Sequence, residues 1–140
     1  MTPKFRAWDK SHKRIIDVSS INFRDGTIQE ETRYAVNRKV YLDDVVLMQY
    51  TGVKDKDGVE IYEGDILEVE KNEDGTYKGT INGNVFFDRF QGYSSKIKVA
   101  GMHDVNTIRY WNNHIRIIGN VYENPELEEH REVEEDDIYV

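Results

Sequence analysis

The sequence predicts an all-β protein that folds as a small barrel or sandwich. Short stretches rich in Val, Ile, Phe, Tyr and Trp recur along residues 5–121, and turn residues interrupt them about every ten positions. Both prolines, Pro3 and Pro125, lie outside these stretches, as a hydrogen-bonded strand ladder requires. A chain of 140 residues is long enough for a core of its own, and an apolar fraction of 38% predicts that this core is small.

The N-terminal part predicts a β-hairpin. Residues 5–8 alternate in polarity, residues 14–18 are largely apolar and β-branched, and the polar stretch 9–13 between them is turn material. Asp25-Gly26 marks a second turn. The pattern over residues 27–41 is ambiguous.

The middle of the chain predicts two strands joined by turns. The apolar run 45–50 has the length of a buried strand, and Thr51-Gly52 is expected to end it. A tight turn follows at residues 55–58. Gly64-Asp65 then introduces residues 66–71, where alternating polarity predicts a strand with one face in solvent.

The second half predicts a further hairpin and several more strands. Asn82-Gly83 lies between the β-type runs 77–81 and 84–90, and this dipeptide favours a two-residue turn because both residues tolerate positive φ. Other strands are expected at residues 96–99, 107–111 and 115–121. Asn124, as a cap before Pro125, predicts a short helix that frays into the tail. We therefore expect an N-terminal β extension over 1–46, a barrel over 47–122 and an acidic helix and tail over 123–140.

The net charge of −8 is confined to the C-terminal end. Residues 123–140 contain nine acids and one base, whereas residues 1–122 contain 18 of each. Within this body, residues 1–42 and 75–122 are basic and residues 43–74 are acidic. Three interpretations stay open: ordinary solvated faces with a solubilising tail, a tail that docks on a basic surface of its own or a neighbouring subunit, and a carboxylate array that imitates nucleic acid.

The sequence contains no recognisable catalytic or metal-binding motif. The absence of cysteine removes disulfides, thiolate metal sites and cysteine nucleophiles. The four histidines form no i, i+4 pair, and no serine lies in a GxSxG pattern. Residues 55–60 resemble a calcium loop only faintly, because Val59 occupies a ligand position. No apolar run approaches 18 residues. We therefore expect no enzymatic activity, no cofactor, no metal site and no membrane span.

One hairpin resembles the start of SH3-like barrel modules, including RNA-binding ones. It comprises residues 64–69, which enter a strand through a glycine corner, and the return segment near Lys78-Gly79. Glu68 and its acidic neighbours would repel phosphate, so RNA binding through this hairpin is not favoured.

Three segments together resemble the YopX family of small bacteriophage and prophage proteins. They are Lys4-Phe5-Arg6-Ala7-Trp8-Asp9, the long stretch from Leu47 to Ile66 that includes Gln49-Tyr50-Thr51-Gly52-Val53-Lys54-Asp55-Lys56-Asp57-Gly58, and Ile118-Gly119-Asn120-Val121-Tyr122-Glu123-Asn124-Pro125-Glu126-Leu127. The resemblance implies an SH3-like β-barrel, no enzymatic activity and no established site residues. The predicted fold is thus all-β, an SH3-like barrel with an N-terminal β extension and a short C-terminal helix and tail.

The loop expected over residues 51–65 is the candidate binding surface, because recognition residues often lie on loops held by a rigid scaffold. The candidate binding residues, on this loop and beside it, are Trp8, Tyr50, Lys54, Asp55, Asp57 and Tyr62.

We expect a non-enzymatic phage accessory protein in the cytoplasm of the bacterial host. Its partner would be a second copy of the chain, or a host or phage protein, because exposed barrel edges and the acidic tail favour association. The alternative is a nucleic-acid-associated SH3-like module, or an acidic decoy for a host DNA-binding protein.

Overall fold

The computed structural model describes residues 3–33, 38–69, 80–81, 86–88, 92–99, 102–108 and 112–127. The chain divides into two compact units, residues 1–50 and 51–140. Twelve strands, two 3-10 turns and one helical turn at 125–127 make up the regular structure of the described residues. The predicted all-β class is therefore confirmed.

The first unit contains an antiparallel sheet with the strand order β4-β3-β2-β1-β5. Its strands are β1 (Phe5–Asp9), β2 (Arg14–Asn22), β3 (Thr27–Glu30), β4 (Arg38–Tyr41) and the first part of β5 (Val45–Lys54), whose last four residues belong to the second unit. The predicted hairpin is confirmed, since β1 pairs with β2. The ambiguous segment 27–41 forms β3 and β4, with residues 34–37 outside the described part of the chain.

The core of the first unit lies on one face of this sheet. Ala7 pairs with Ile16, and Ile28 pairs with Val40, so apolar side chains from neighbouring strands face the same side. With Val45 they form a buried cluster. In β1, the alternation that predicted the strand thus also selects its buried face.

Strand β5 is longer than predicted, because it continues through Thr51-Gly52 to Lys54. Gly52 has a φ of +83°, which glycine adopts without strain, so the strand continues through this irregular position. The hydroxyl of Thr51 donates to the Ile61 carbonyl at 2.8 Å, which ties this part of β5 to β6 (Glu60–Tyr62). The predicted loop 51–65 is therefore largely a pair of strands joined by a turn.

In the second unit, β7 (Asp65–Val69) pairs antiparallel with β12 (Ile115–Asn120). The prediction that β7 has one face in solvent is wrong in part, because the adjacent residues Ile66 and Leu67 are both fully buried. Adjacent residues of a strand face opposite sides, so β7 is covered on both sides at this point. Glu68 is half-buried and forms an ion pair with Arg116 at 2.6 Å.

The predicted hairpin at Asn82-Gly83 is wrong, although the turn residues themselves lie outside the described part of the chain. Strands β8 (Thr80–Ile81) and β9 (Phe86–Asp88) each pair antiparallel with β10 (Gly92–Val99), which also pairs with β11 (Met102–Thr107). Two strands that are both antiparallel to β10 run parallel to each other, whereas a hairpin requires antiparallel arms.

A closed barrel is absent from the strands that the structure describes. Each of their sheets has free ends, with β4 at one end of the first and β11 at one end of another. The predicted barrel is therefore replaced by open antiparallel sheets in this part of the chain. The same residues include no helix long and apolar enough to cross a membrane.

Candidate functional site

A cluster of charged side chains lies in the first unit, where four strands meet. The Arg38 guanidinium donates to the Asp9 carboxylate at 2.6 Å and, through Nε, to the Glu30 carboxylate at 2.9 Å. Arg14 pairs with Glu30 at 2.8 Å, and His12 Nδ1 lies 2.9 Å from Asp9 Oδ2. The Asp9 side chain is 1% exposed. Arg38 therefore bridges two buried carboxylates that come from different strands.

The surroundings keep both carboxylates ionised. Burial by itself raises the pKa of Asp9, but hydrogen bonds from Arg38 and from the backbone N–H of His12 lower it more, and the net pKa lies well below its usual range. Burial likewise raises the pKa of Glu30, and hydrogen bonds from Arg38 and Arg14 bring it below its ordinary value. These acids are poor proton donors and weak bases at neutral pH, so the cluster is suited to structure rather than to acid–base catalysis.

The predicted site residue Asp55 is buried and organises a turn. Its Oδ1 accepts hydrogen bonds from the N–H groups of Asp57 and Val59, each at 2.9 Å. Its Oδ2 accepts from the N–H of Ile117 in β12 at 3.2 Å. Gly58 completes the turn with a φ of +82°. The two carboxylate oxygens thus hold the turn together and attach it to β12.

The other predicted site residues differ in their accessibility. Lys54 and Asp57 are exposed beside the Asp55 turn, and Tyr62 is half-buried in β6. In the first unit, Trp8 is half-buried in β1. Tyr50 is buried in β5, with the Lys4 ammonium 5.5 Å from its ring centre. The predicted site residues of the second unit do not share one accessible surface, because Asp55 is buried whereas Lys54 and Asp57 are exposed. Binding by these six residues stays a prediction.

Two aromatic side chains that were not among the predicted site residues are among the most exposed large apolar groups. Phe23 is 76% exposed and Tyr41 is 60% exposed. They lie at the same end of the first sheet, since Tyr41 pairs with Thr27, and Thr27 pairs with Asn22, the residue before Phe23. Sequence patterning did not identify them, because Phe23 lies in a turn and residues 27–41 gave no clear period.

Strand β4 beside these aromatics has a partner on one side only among the described strands. Leu42 N–H donates to the Gly26 carbonyl at 2.9 Å. Hydrogen-bonded pairs alternate along antiparallel strands, so the backbone groups of Lys39 and Tyr41 point away from β3. We call this surface the aromatic edge: Phe23, Arg24, Lys39, Tyr41 and the outer backbone of β4. Among the described residues, it presents open hydrogen-bonding groups between exposed aromatic and basic residues.

The last sequence motif forms a turn after β12. Asn120 Oδ1 accepts from the N–H groups of Tyr122 and Glu123, and its amide donates to the Glu123 carboxylate at 2.7 Å. Asn124 was predicted to cap a helix, but its Oδ1 accepts from the preceding Asn120 N–H at 3.1 Å. Its side chain therefore closes the turn behind it. The rest of the predicted helix and tail lies outside the described residues.

Gly119 leaves the space that this turn needs, so its substitution should be costly. A Cβ at residue 119 would overlap the Asn124 side-chain oxygen. We expect Gly119→Ala to lower the free energy of unfolding by about 1–2 kcal/mol, because Asn124 must release the Asn120 N–H. Urea denaturation measures this loss. In the Asn124→Ala background the same change should cost less than half as much, and additive effects would contradict the explanation.

Comparison with known proteins assigns the family. The family model described as YopX protein matches residues 4–129, which is most of the chain. The chain belongs to the YopX protein family. Among solved structures, this YopX-family chain is similar to the crystal structure of protein EF1440 from Enterococcus faecalis. The sequence identity is 26%, the TM-score is 0.53, and the match covers 91% of this chain and 99% of that one. A search of curated proteins finds no match to the YopX-family chain.

Within the described part of this YopX-family protein, no group of three or more His, Asp or Glu residues is arranged to hold a metal ion. The charged cluster does not provide such a site, because its two carboxylates already bind Arg38 and Arg14.

Proposed function

We propose that this protein is a non-enzymatic binding module of phage or prophage origin. It acts in the cytoplasm of the bacterial host and binds a protein, either a second copy of itself or another partner. The observation that carries the proposal is the aromatic edge, where Phe23 and Tyr41 are exposed beside the open side of β4.

Covering this surface would be energetically favourable. Aromatic side chains are enriched at the centres of protein interfaces, and full burial of each contributes roughly 1.5–3 kcal/mol. The outer backbone of β4 can add main-chain hydrogen bonds to a bound strand. A protein partner can bury the aromatic side chains and pair with the backbone of β4 at the same time.

The charged cluster supports the non-enzymatic part of the proposal. It contains the two acidic groups of the first unit with lowered pKa values. Both accept hydrogen bonds from arginine, and Asp9 also contacts the backbone N–H and the ring of His12. Free acid–base pairs in a cleft are the usual sign of catalysis, whereas saturated ion pairs stabilise structure.

Replacement of the two aromatics should weaken association. We expect Phe23→Ser with Tyr41→Ser to weaken self-association, measured by sedimentation velocity over a concentration series, by at least about tenfold, because two large apolar groups leave the interface. Val59→Ser is the matched control, since Val59 is 51% exposed in the second unit. If the full chain self-associates equally well with and without the two aromatics, this surface is not the interface.

A nucleic-acid partner is the second candidate, and it is favoured by one observation. Arg24 and Lys39 are exposed among the same aromatics, and basic residues between stacking rings suit single-stranded nucleic acid. A gel shift at low salt that disappears at high salt, and that Lys39→Glu removes, would support this candidate over a protein partner.

The SH3-like arrangement of residues 47–122 belongs to the same proposal. It is supported by the family and by the pairing of β7 with β12, and β7 also lies close to β8. A crystal structure in which these strands form one continuous, strongly bent sheet would establish it.

A further inference from the structure

We infer that the aromatic edge binds the acidic C-terminal segment, residues 128–140, of a second copy of the chain. This inference rests on the proposed function, because it names the partner of the same surface. The binding is an exchange between copies, in which the segment of one copy meets β4 of the other.

Charge complementarity is the first argument. The aromatic edge includes two exposed bases, Arg24 and Lys39, and no acid, whereas Asp25, Asp43 and Asp44 are exposed next to it in the sequence. Residues 128–140 contain seven acids and one base. Opposite charges steer the two surfaces together and favour one orientation of the bound segment.

The composition of the segment is the second argument. It ends in Asp136-Asp137-Ile138-Tyr139-Val140, so β-branched and aromatic residues follow a pair of acids. Such residues favour extended pairing. Lys39 and Tyr41 offer a basic group, an aromatic ring and open backbone groups along the outer side of β4, which match the acids, the apolar residues and the backbone of the segment.

The length of the segment is the third argument. Leu127 is the last described residue, and 13 residues follow it. At about 3.3–3.6 Å per extended residue they span up to roughly 45 Å, which is ample for contact with a neighbouring molecule. Because each copy has one segment and one edge, reciprocal exchange closes into a dimer or ring.

The test compares charge variants of the full-length chain by sedimentation velocity at low and high salt. We expect Lys39→Glu to weaken self-association about tenfold at low salt, and Asp136→Lys with Asp137→Lys to weaken it similarly. Combining the three changes should restore association. Lys13→Glu, at an exposed lysine in another turn of the first unit, is the control and should have no effect.

A second variant tests backbone pairing without changing charge. Ile138→Pro removes an N–H group, and we expect it to weaken association at both salt concentrations, whereas Ile138→Val should not. If replacement of Phe23 and Tyr41 weakens self-association, but the Lys39 variant and every segment variant associate as the native chain does, the inference is overturned and the proposed function stands. A full chain that stays monomeric overturns both the inference and the self-associating form of the proposed function.

Discussion

Replacement of Arg38 by alanine is expected to lower the free energy of unfolding by about 2–3 kcal/mol. The substitution leaves Asp9 and Glu30 buried without the guanidinium that bridges them at 2.6 and 2.9 Å. This value lies at or below the lower end of the range of about 3–5 kcal/mol for broken buried ion pairs, because the Arg38 side chain is 37% exposed and His12 and Arg14 remain in place.

The loss of stability in the Arg38→Ala variant should become smaller as the pH is lowered. The pKa values of Asp9 and Glu30 are lowered by folding, so their stabilising contribution is complete above their ordinary values of 3.8 and 4.5. It is lost as pH falls from there toward the lower pKa values of the folded state. The difference between the native chain and the Arg38→Ala variant should therefore be full at pH 7 and shrink below about pH 4.

Urea denaturation at several pH values measures both effects. Lys39→Ala is the matched control, because Lys39 is the next residue of β4 and is exposed, and it should change stability by less than about 0.5 kcal/mol. Arg38→Lys should be intermediate, since lysine keeps the charge but loses the planar fork that contacts both acids. A variant of Arg38 as stable as the Lys39 control would show that the bridge contributes nothing.

Replacement of Asp55 by alanine is expected to lower the free energy of unfolding by about 2–4 kcal/mol. The change removes the acceptors of three backbone N–H groups, those of Asp57, Val59 and Ile117. Asp55 is only 6% exposed, so water does not readily replace the lost oxygens. The turn and its attachment to β12 are weakened together.

Two neighbouring variants separate this structural role from binding. Asp55→Asn keeps one acceptor oxygen and should lose less stability than Asp55→Ala. Asp57→Ala, at an exposed residue of the same turn, should lose little, because only its backbone N–H contributes to the turn. Thermal denaturation compares the three. If Asp55→Ala were as stable as the native chain but failed to bind a partner, Asp55 would act in recognition rather than in folding.

Local sequence signals predicted the elements that form from residues close together in the sequence. The first hairpin and the turn at Gly58 follow from alternating polarity and turn chemistry, which operate over a few residues. The same rules were wrong at Asn82-Gly83, where β8 and β9 both pair with β10. A strong turn dipeptide states a local preference, but which strands pair depends on segments distant in sequence.

The roles of individual side chains were less predictable. Asp9 and Arg38 are 29 residues apart, and Asp55 and Ile117 are 62 apart, so no local spacing indicates that they meet. Phe23 and Tyr41 are ordinary residues in sequence, and only the placement of β4 at the end of the sheet makes them a candidate interface. Their exposure is a property of the assembled sheet.

By itself, the sequence determined the all-β class, the family resemblance and the confinement of the net charge to residues 123–140, because these depend on composition, local alternation and motif order. Tertiary structure alone decided that β4 is an edge among the described strands, that Arg38 bridges two buried acids and that Asp55 faces inward. The physical reason is that burial and strand order arise from contacts between distant segments. The charge count locates the acidic segment in the sequence. A candidate surface for it can be named only from the sheet, because strand order is what leaves Lys39 and Tyr41 exposed.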